Sequence, residues 1–144
     1  MSFAIGIAVL FASSIAWLGQ SLSFLAPSVA LKFGALEPED DVDPTLYIVE
    51  ARAMGLSDML LGWTLPAAAL LMIVDHPIWP YLAMIGSGIF IYFSALIMVS
   101  RVYLKRAGKK VGRPAAERAA YVFGVIWIAC SLIMIALAAA ELSS

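Results

Sequence analysis

Charged residues gather in clusters along this chain, and between the clusters lie four long apolar stretches. The first runs from the N-terminus to Leu31, just ahead of Lys32. The second lies between Arg52 and Asp75 and is interrupted only by Asp58. The third runs from Pro77 to Ser100, and the fourth from Ala119 to Ala140. About 20 apolar residues of helix cross the hydrocarbon core of a bilayer. None of the four stretches alternates as a barrel strand does, and a helix is the open-ended element that satisfies its own backbone in lipid. The pattern predicts an all-α fold, an integral membrane four-helix bundle. It forms one transmembrane domain over 1–144, with spans at about 3–31, 52–74, 77–101 and 118–141 and loops at about 32–51 and 102–117.

Proline, glycine and aspartate mark the helix ends. Pro27 bends or closes the first helix. Asp43-Pro44 pairs an N-cap residue with proline at the first helical position and starts the second helix early. Pro66 is expected to kink that helix midway. Asp75-His76-Pro77 makes a tight turn into the third helix. Gly108 to Pro114 closes the third, and Pro114-Ala-Ala-Glu opens the fourth. The first stretch lacks a positive n-region and is too long for a cleaved signal, so it reads as a retained helix.

Charge sets the expected orientation. All nine Lys and Arg residues flank or lie in the loops after helices one and three. The positive-inside rule puts both loops in the cytoplasm and both termini on the non-cytoplasmic side, with Trp79 and Tyr81 in an outer aromatic belt. A plasma membrane is the expected location, the inner membrane if the source is bacterial. The first loop is acidic (Glu37, Glu39, Asp40, Asp41, Asp43, Glu50) and the second basic. Mutual attraction explains the contrast. Contact of Lys105, Arg106, Lys109, Lys110 and Arg113 with anionic lipid headgroups is a compatible second reading.

Composition agrees with lipid as the solvent. Hydrophobic residues make up 63% and charged residues only 13% of the 144 positions, against about 25% charged in a typical soluble domain. Cys130 and His76 are each single of their kind, which excludes an intramolecular disulfide and Cys- or His-rich metal sites. No cofactor, metal or nucleic-acid partner is expected. Gly86-Ser87-Gly88 lies inside a span without the strand and the Lys-Ser/Thr of a phosphate loop, so it reads as a close-packing point.

Candidate chemistry centres on Asp58, an acid inside the second span. Its helical face carries Ala51, Gly55, Gly62, Pro66 and Ala69, and small residues mark the side where helices approach. Asp58 therefore points into the bundle, either as a titrating or ligand-contacting acid or as a structural hydrogen-bond or ion-pair partner. Polar seams on the other helices (Ser13, Gln20 and Ser23; Ser87, Ser94 and Arg101; Glu117, Tyr121, Gly124 and Ser131) suggest an interior open toward the cytoplasm. Arg52, Asp58, Arg101, Glu117 and Tyr121 are the candidate ligand-binding residues at its mouth; no catalytic residue is identified.

In layout, the chain resembles the DoxX-like group of small four-helix membrane proteins. The features that carry the resemblance are Phe24-Leu-Ala-Pro27 with Phe33-Gly34 soon after, Arg52-Ala-Met-Gly55 followed by Gly62, and Arg101 near the end of helix three. That resemblance implies accessory roles, sometimes beside oxidoreductases. Length, helix number, Arg52-Ala53 and Arg101-Val-Tyr103 are similar to the membrane-associated glutathione-transferase and eicosanoid group, which implies glutathione-dependent transfer in a trimer. The chain has Leu56 and Met59 where that pattern has Asn and Glu. The leading expectation is a non-enzymatic accessory subunit or a binder of a lipid-like or amphipathic molecule, as part of a larger membrane complex or a homo-oligomer. A glutathione-dependent transferase and a proton-coupled transporter using Asp58 are the alternatives.

Overall fold

The computed structural model describes residues 2–143. Among them the chain is helical, with no strand and a single isolated β-bridge between Val42 and Val111. Helix α1 (Ser2–Leu25) is followed by the short α2 (Pro27–Lys32). A 3₁₀ turn at Glu39–Asp41 leads to α3 (Pro44–Ile48), a π-helical segment (Val49–Met54), α4 (Gly55–Leu61) and α5 (Thr64–Ile73). Then come α6 (Trp79–Arg106) and α7 (Pro114–Leu142). Four helical rods, Phe3–Leu25, Pro44–Ile73, Trp79–Arg106 and Pro114–Leu142, are long and apolar enough to cross a membrane. Large apolar side chains on all four face outward, from Phe11 and Leu18 to Leu60, Ile85 and Val125. In water such a surface would be unstable; hydrocarbon accepts it.

Local chemistry explains the breaks. Proline cannot donate and its ring crowds the preceding turn, so α1 stops at Leu25 and Pro27 takes the first turn of α2. Asp43 Oδ1 accepts the Thr45 N–H at 2.9 Å, with Pro44 opening α3. The second rod is interrupted ahead of Pro66, at Gly62-Trp63 between α4 and α5. That displacement follows from the mechanism, since Pro66 withholds a hydrogen bond from the carbonyl four residues earlier. Asp75 takes a left-handed conformation (φ 55°), which Asp tolerates better than most residues. The chain then reverses into α6, with the His76 N–H donating to the Leu71 carbonyl at 2.9 Å.

In a bilayer helices associate through close packing and not through exclusion of water. Ala51, Gly55, Gly62, Pro66 and Ala69 are all buried on one side of the second rod. Gly86 lets α6 approach α5 so closely that an added Cβ would lie 2.6 Å from the Leu65 nitrogen. Gly88 faces open space and has no such duty. The main core, including Val9, Leu65, Met72, Trp79, Phe90 and Met134, fills the end of the bundle near the α5–α6 turn.

The opposite end is built differently. There the two long loops are joined by the Val42–Val111 bridge and by the Asp43 N–H donating to the Lys110 carbonyl at 2.8 Å. Lys109 pairs with Asp43 at 3.5 Å and Arg113 with Asp41 at 3.3 Å, while Lys110 Nζ donates to the Asp40 carbonyl at 3.1 Å. The acidic and basic loops attract each other directly. Gly112 (φ 103°) passes so close to Glu37 that any Cβ would run into its carboxylate. Glu37 Oε1 in turn accepts the Arg113 N–H at 2.9 Å, setting a negative charge at the N-terminus of α7, where the helix dipole favours it.

Candidate functional site

Between the tight core and the zipped loops, the bundle is not filled. Helix α7 packs along α6 and meets α1 only slightly, while α1 leans on α4 and α5. Small residues keep the space between α1 and α7 clear: Ala16 and Gly19 on one wall, Ala116, Ala119 and Ala120 on the other. The result is a cavity of about 460 Å³. Residues Phe33 to Glu37 of the first loop cover it, and its rim includes Ile15, Phe33 and Phe123, all exposed.

One end of the cavity is charged. Arg101, only 5% exposed, descends from α6, and Glu50 reaches it from the π-helical segment. The guanidinium meets the carboxylate through two parallel bonds, Nη1 to Oε1 and Nη2 to Oε2, the latter at 2.9 Å. Such a fork-to-fork pair is the strongest arrangement these groups adopt. Single wide turns of this kind occur often at functional sites; here the wide turn carries Glu50, one of the two acids that line the cavity. Arg101 Nε and Glu37 Oε2 are buried with no hydrogen-bond partner among the described residues. Both residues line the cavity.

Asp58 lies deeper. It is 9% exposed and lines a small chamber of about 20 Å³ with Gln20, Ser94 and the rings of Trp17, Phe90, Phe93 and Trp127. This chamber shares Ala16, Gln20, Ile97 and Trp127 with the large cavity, so the two adjoin. Neither indole turns its N–H to the acid: Trp17 donates to the Met59 carbonyl at 3.3 Å and Trp127 to the Ala12 carbonyl at 3.0 Å. Among the described residues no group forms a hydrogen bond or ion pair with the Asp58 carboxylate.

The five candidate ligand-binding residues are therefore not one cluster. Arg101 lines the large cavity and Asp58 the adjoining chamber. Glu117 pairs with Lys105 at 2.8 Å. Tyr121 is half-buried and lines neither space, and Arg52 is exposed on the second rod. Tyr103 is also exposed, with Arg106 lying 5.7 Å from its ring centre. Of the basic residues considered for headgroup contact, Lys105, Lys109, Lys110 and Arg113 engage acidic residues or the acidic loop's backbone. No group of three His, Cys, Asp or Glu side chains among the described residues is placed to hold a metal ion.

Sequence reasoning missed Glu50 and Glu37, which it counted as surface charges of the acidic loop. A signal existed. Arg101 shares its helical face with Ser87 and Ser94, all three buried, and a buried guanidinium calls for a carboxylate at its own depth. Comparisons with family models, curated proteins and solved structures found no match for the chain.

Proposed function

We propose that this multi-pass membrane protein binds a lipid-like or amphipathic small molecule in the cavity between α1 and α7. It acts as a non-enzymatic membrane component, on its own or as an accessory subunit of a larger complex. The observation that carries this reading is the cavity itself. Its volume of about 460 Å³ falls within the range of about 300–1,000 Å³ typical of small-molecule sites. Apolar walls combined with polar groups at the inner end, the Glu50–Arg101 pair and the adjoining Asp58, match a guest with an apolar body and a polar head. The exposed rim residues give such a guest a lateral way in. The distribution of Lys and Arg supports both loops in the cytoplasm and both termini outside, so the polar end of the cavity faces the cytoplasmic leaflet of the plasma membrane. Arg106, which makes no ion pair among the described residues, is suited to an anionic headgroup there.

The test is native mass spectrometry of the full chain released gently from mild detergent. The unaltered protein is expected to carry a small lipid-like adduct. Ala119→Trp, which fills the space, is expected to lose it while keeping its helicity. An unaltered protein that carries nothing, even when purified in native membrane lipid, or an adduct indifferent to Ala119→Trp, removes the basis of the reading.

A further inference from the structure

Asp58 is an acid without a counter-charge, and the walls around it restrict what could supply one. Arg101 does not line the chamber, and both of its terminal nitrogens are committed to Glu50. The indole donors of Trp17 and Trp127 are directed to backbone carbonyls. The chamber in front of Asp58 measures about 20 Å³, and roughly 10–15 Å³ is enough for one water-sized group. Four aromatic side chains, Trp17, Phe90, Phe93 and Trp127, line it with the acid, beside the neutral Gln20 and Ser94. Aromatic rings attract cations through their quadrupoles, and more strongly when water is excluded.

We infer that Asp58 and its aromatic chamber form the head-group subsite of the large cavity, and that they take the primary ammonium of an amphipathic amine. The inference rests on the cavity being a binding site and specifies what binds there. An ammonium is about the size of water and carries three donors for an acceptor-only carboxylate. A trimethylammonium group is several times too large for the chamber. The guest's apolar body lies in the larger space, which adjoins the chamber at Ala16, Gln20, Ile97 and Trp127. The charge of the walls agrees. Across both spaces the lining carries Glu37, Glu50 and Asp58 against the single cation Arg101, so its net charge favours a cationic head over an anionic one, for which only the Arg101 Nε is unpartnered.

The test uses the full chain in nanodiscs of zwitterionic lipid at neutral pH, titrated calorimetrically with n-octylamine, octyltrimethylammonium, 1-octanol and octanoate. Octylamine is expected to bind saturably and at least tenfold more tightly than each of the other three. Asp58→Asn is expected to bring octylamine down to the level of octanol without changing octanol binding. Equal affinity for octylamine and octanol in the unaltered chain overturns the inference, and so does an Asp58→Asn protein that keeps its preference for the amine. The preference in the unaltered chain is decisive even if the variant fails to fold. Should octanol and octylamine bind equally and both be lost in Ala119→Trp, the amine assignment falls while the cavity remains a binding site. Should no probe bind saturably, both fall together.

Discussion

Two sets of charges sit at the same end of this bundle and obey different rules. At the loops, Lys109 and Arg113 meet acidic side chains and Lys110 meets the Asp40 carbonyl, all three remaining largely open to their surroundings. Deeper, Arg101 and Glu50 hold each other in a bidentate grip, and beyond them Asp58 stands unpaired. The residue types are the same; the medium is not. An exposed pair gives back in attraction little more than it loses in hydration and side-chain freedom. A pair out of water is held by necessity, because either partner alone would be an uncompensated charge. The loop pairs therefore serve register, matching Val42 to Val111, whereas the inner pair decides whether the polar end of the cavity exists.

Breaking the inner pair should have the largest effect. Arg101→Met strands Glu50 and is expected to lower stability by about 3–5 kcal/mol, read as thermal unfolding by circular dichroism in mild detergent. Adding Glu50→Gln to that variant should recover most of the loss; a double variant as unstable as the single one would show that the pairing is not the cause. Next comes Gly86→Val, which forces a side chain against the Leu65 backbone where α5 and α6 pack tightly and should cost about 1–3 kcal/mol. A Gly86→Val protein as stable as the unaltered chain would contradict the helix spacing. At the loops, Arg113→Ala should cost no more than about 1 kcal/mol, and its effect should shrink in high salt, unlike that of Arg101→Met.

The smallest effect should come from pH at the start of α3. The Thr45 N–H holds the Asp43 carboxyl below its usual value of 3.8, with Lys109 assisting. A carboxyl lowered by folding stabilises the fold above its unfolded value, and that contribution fades as pH falls through the lowered one. The stability difference between the unaltered chain and Asp43→Ala should thus be constant near neutrality and diminish below about pH 4. A difference that grows on acidification would reverse the assigned sign.

Much of this architecture is legible in the residues. Charge-free runs reveal the four rods, Asp43-Pro44 reveals where the second begins, and the small residues from Ala51 to Ala69 reveal its inward side. Each depends on a few neighbouring positions, and local chemistry reads them out. What escapes depends on distance in sequence. Glu50 and Arg101 lie 51 residues apart, and the wide turn that turns Glu50 inward has no sequence signature of its own. The cavity is less legible still. Alanines and glycines on α1 and α7 look the same whether two helices close upon them or, as here, splay and leave a gap. Pro66 shows a finer case: the break is legible, but its consequence appears one turn earlier, at Gly62-Trp63.

The exposed rim of Ile15, Phe33 and Phe123 has a thermodynamic corollary. A guest that crosses it comes from hydrocarbon and is dehydrated before it arrives, so greasy walls offer its tail hardly any advantage over the surrounding acyl chains. Under the proposed reading, discrimination among candidate guests devolves on the few heteroatoms at the polar end, and occupancy follows abundance in the leaflet, not in the aqueous phase.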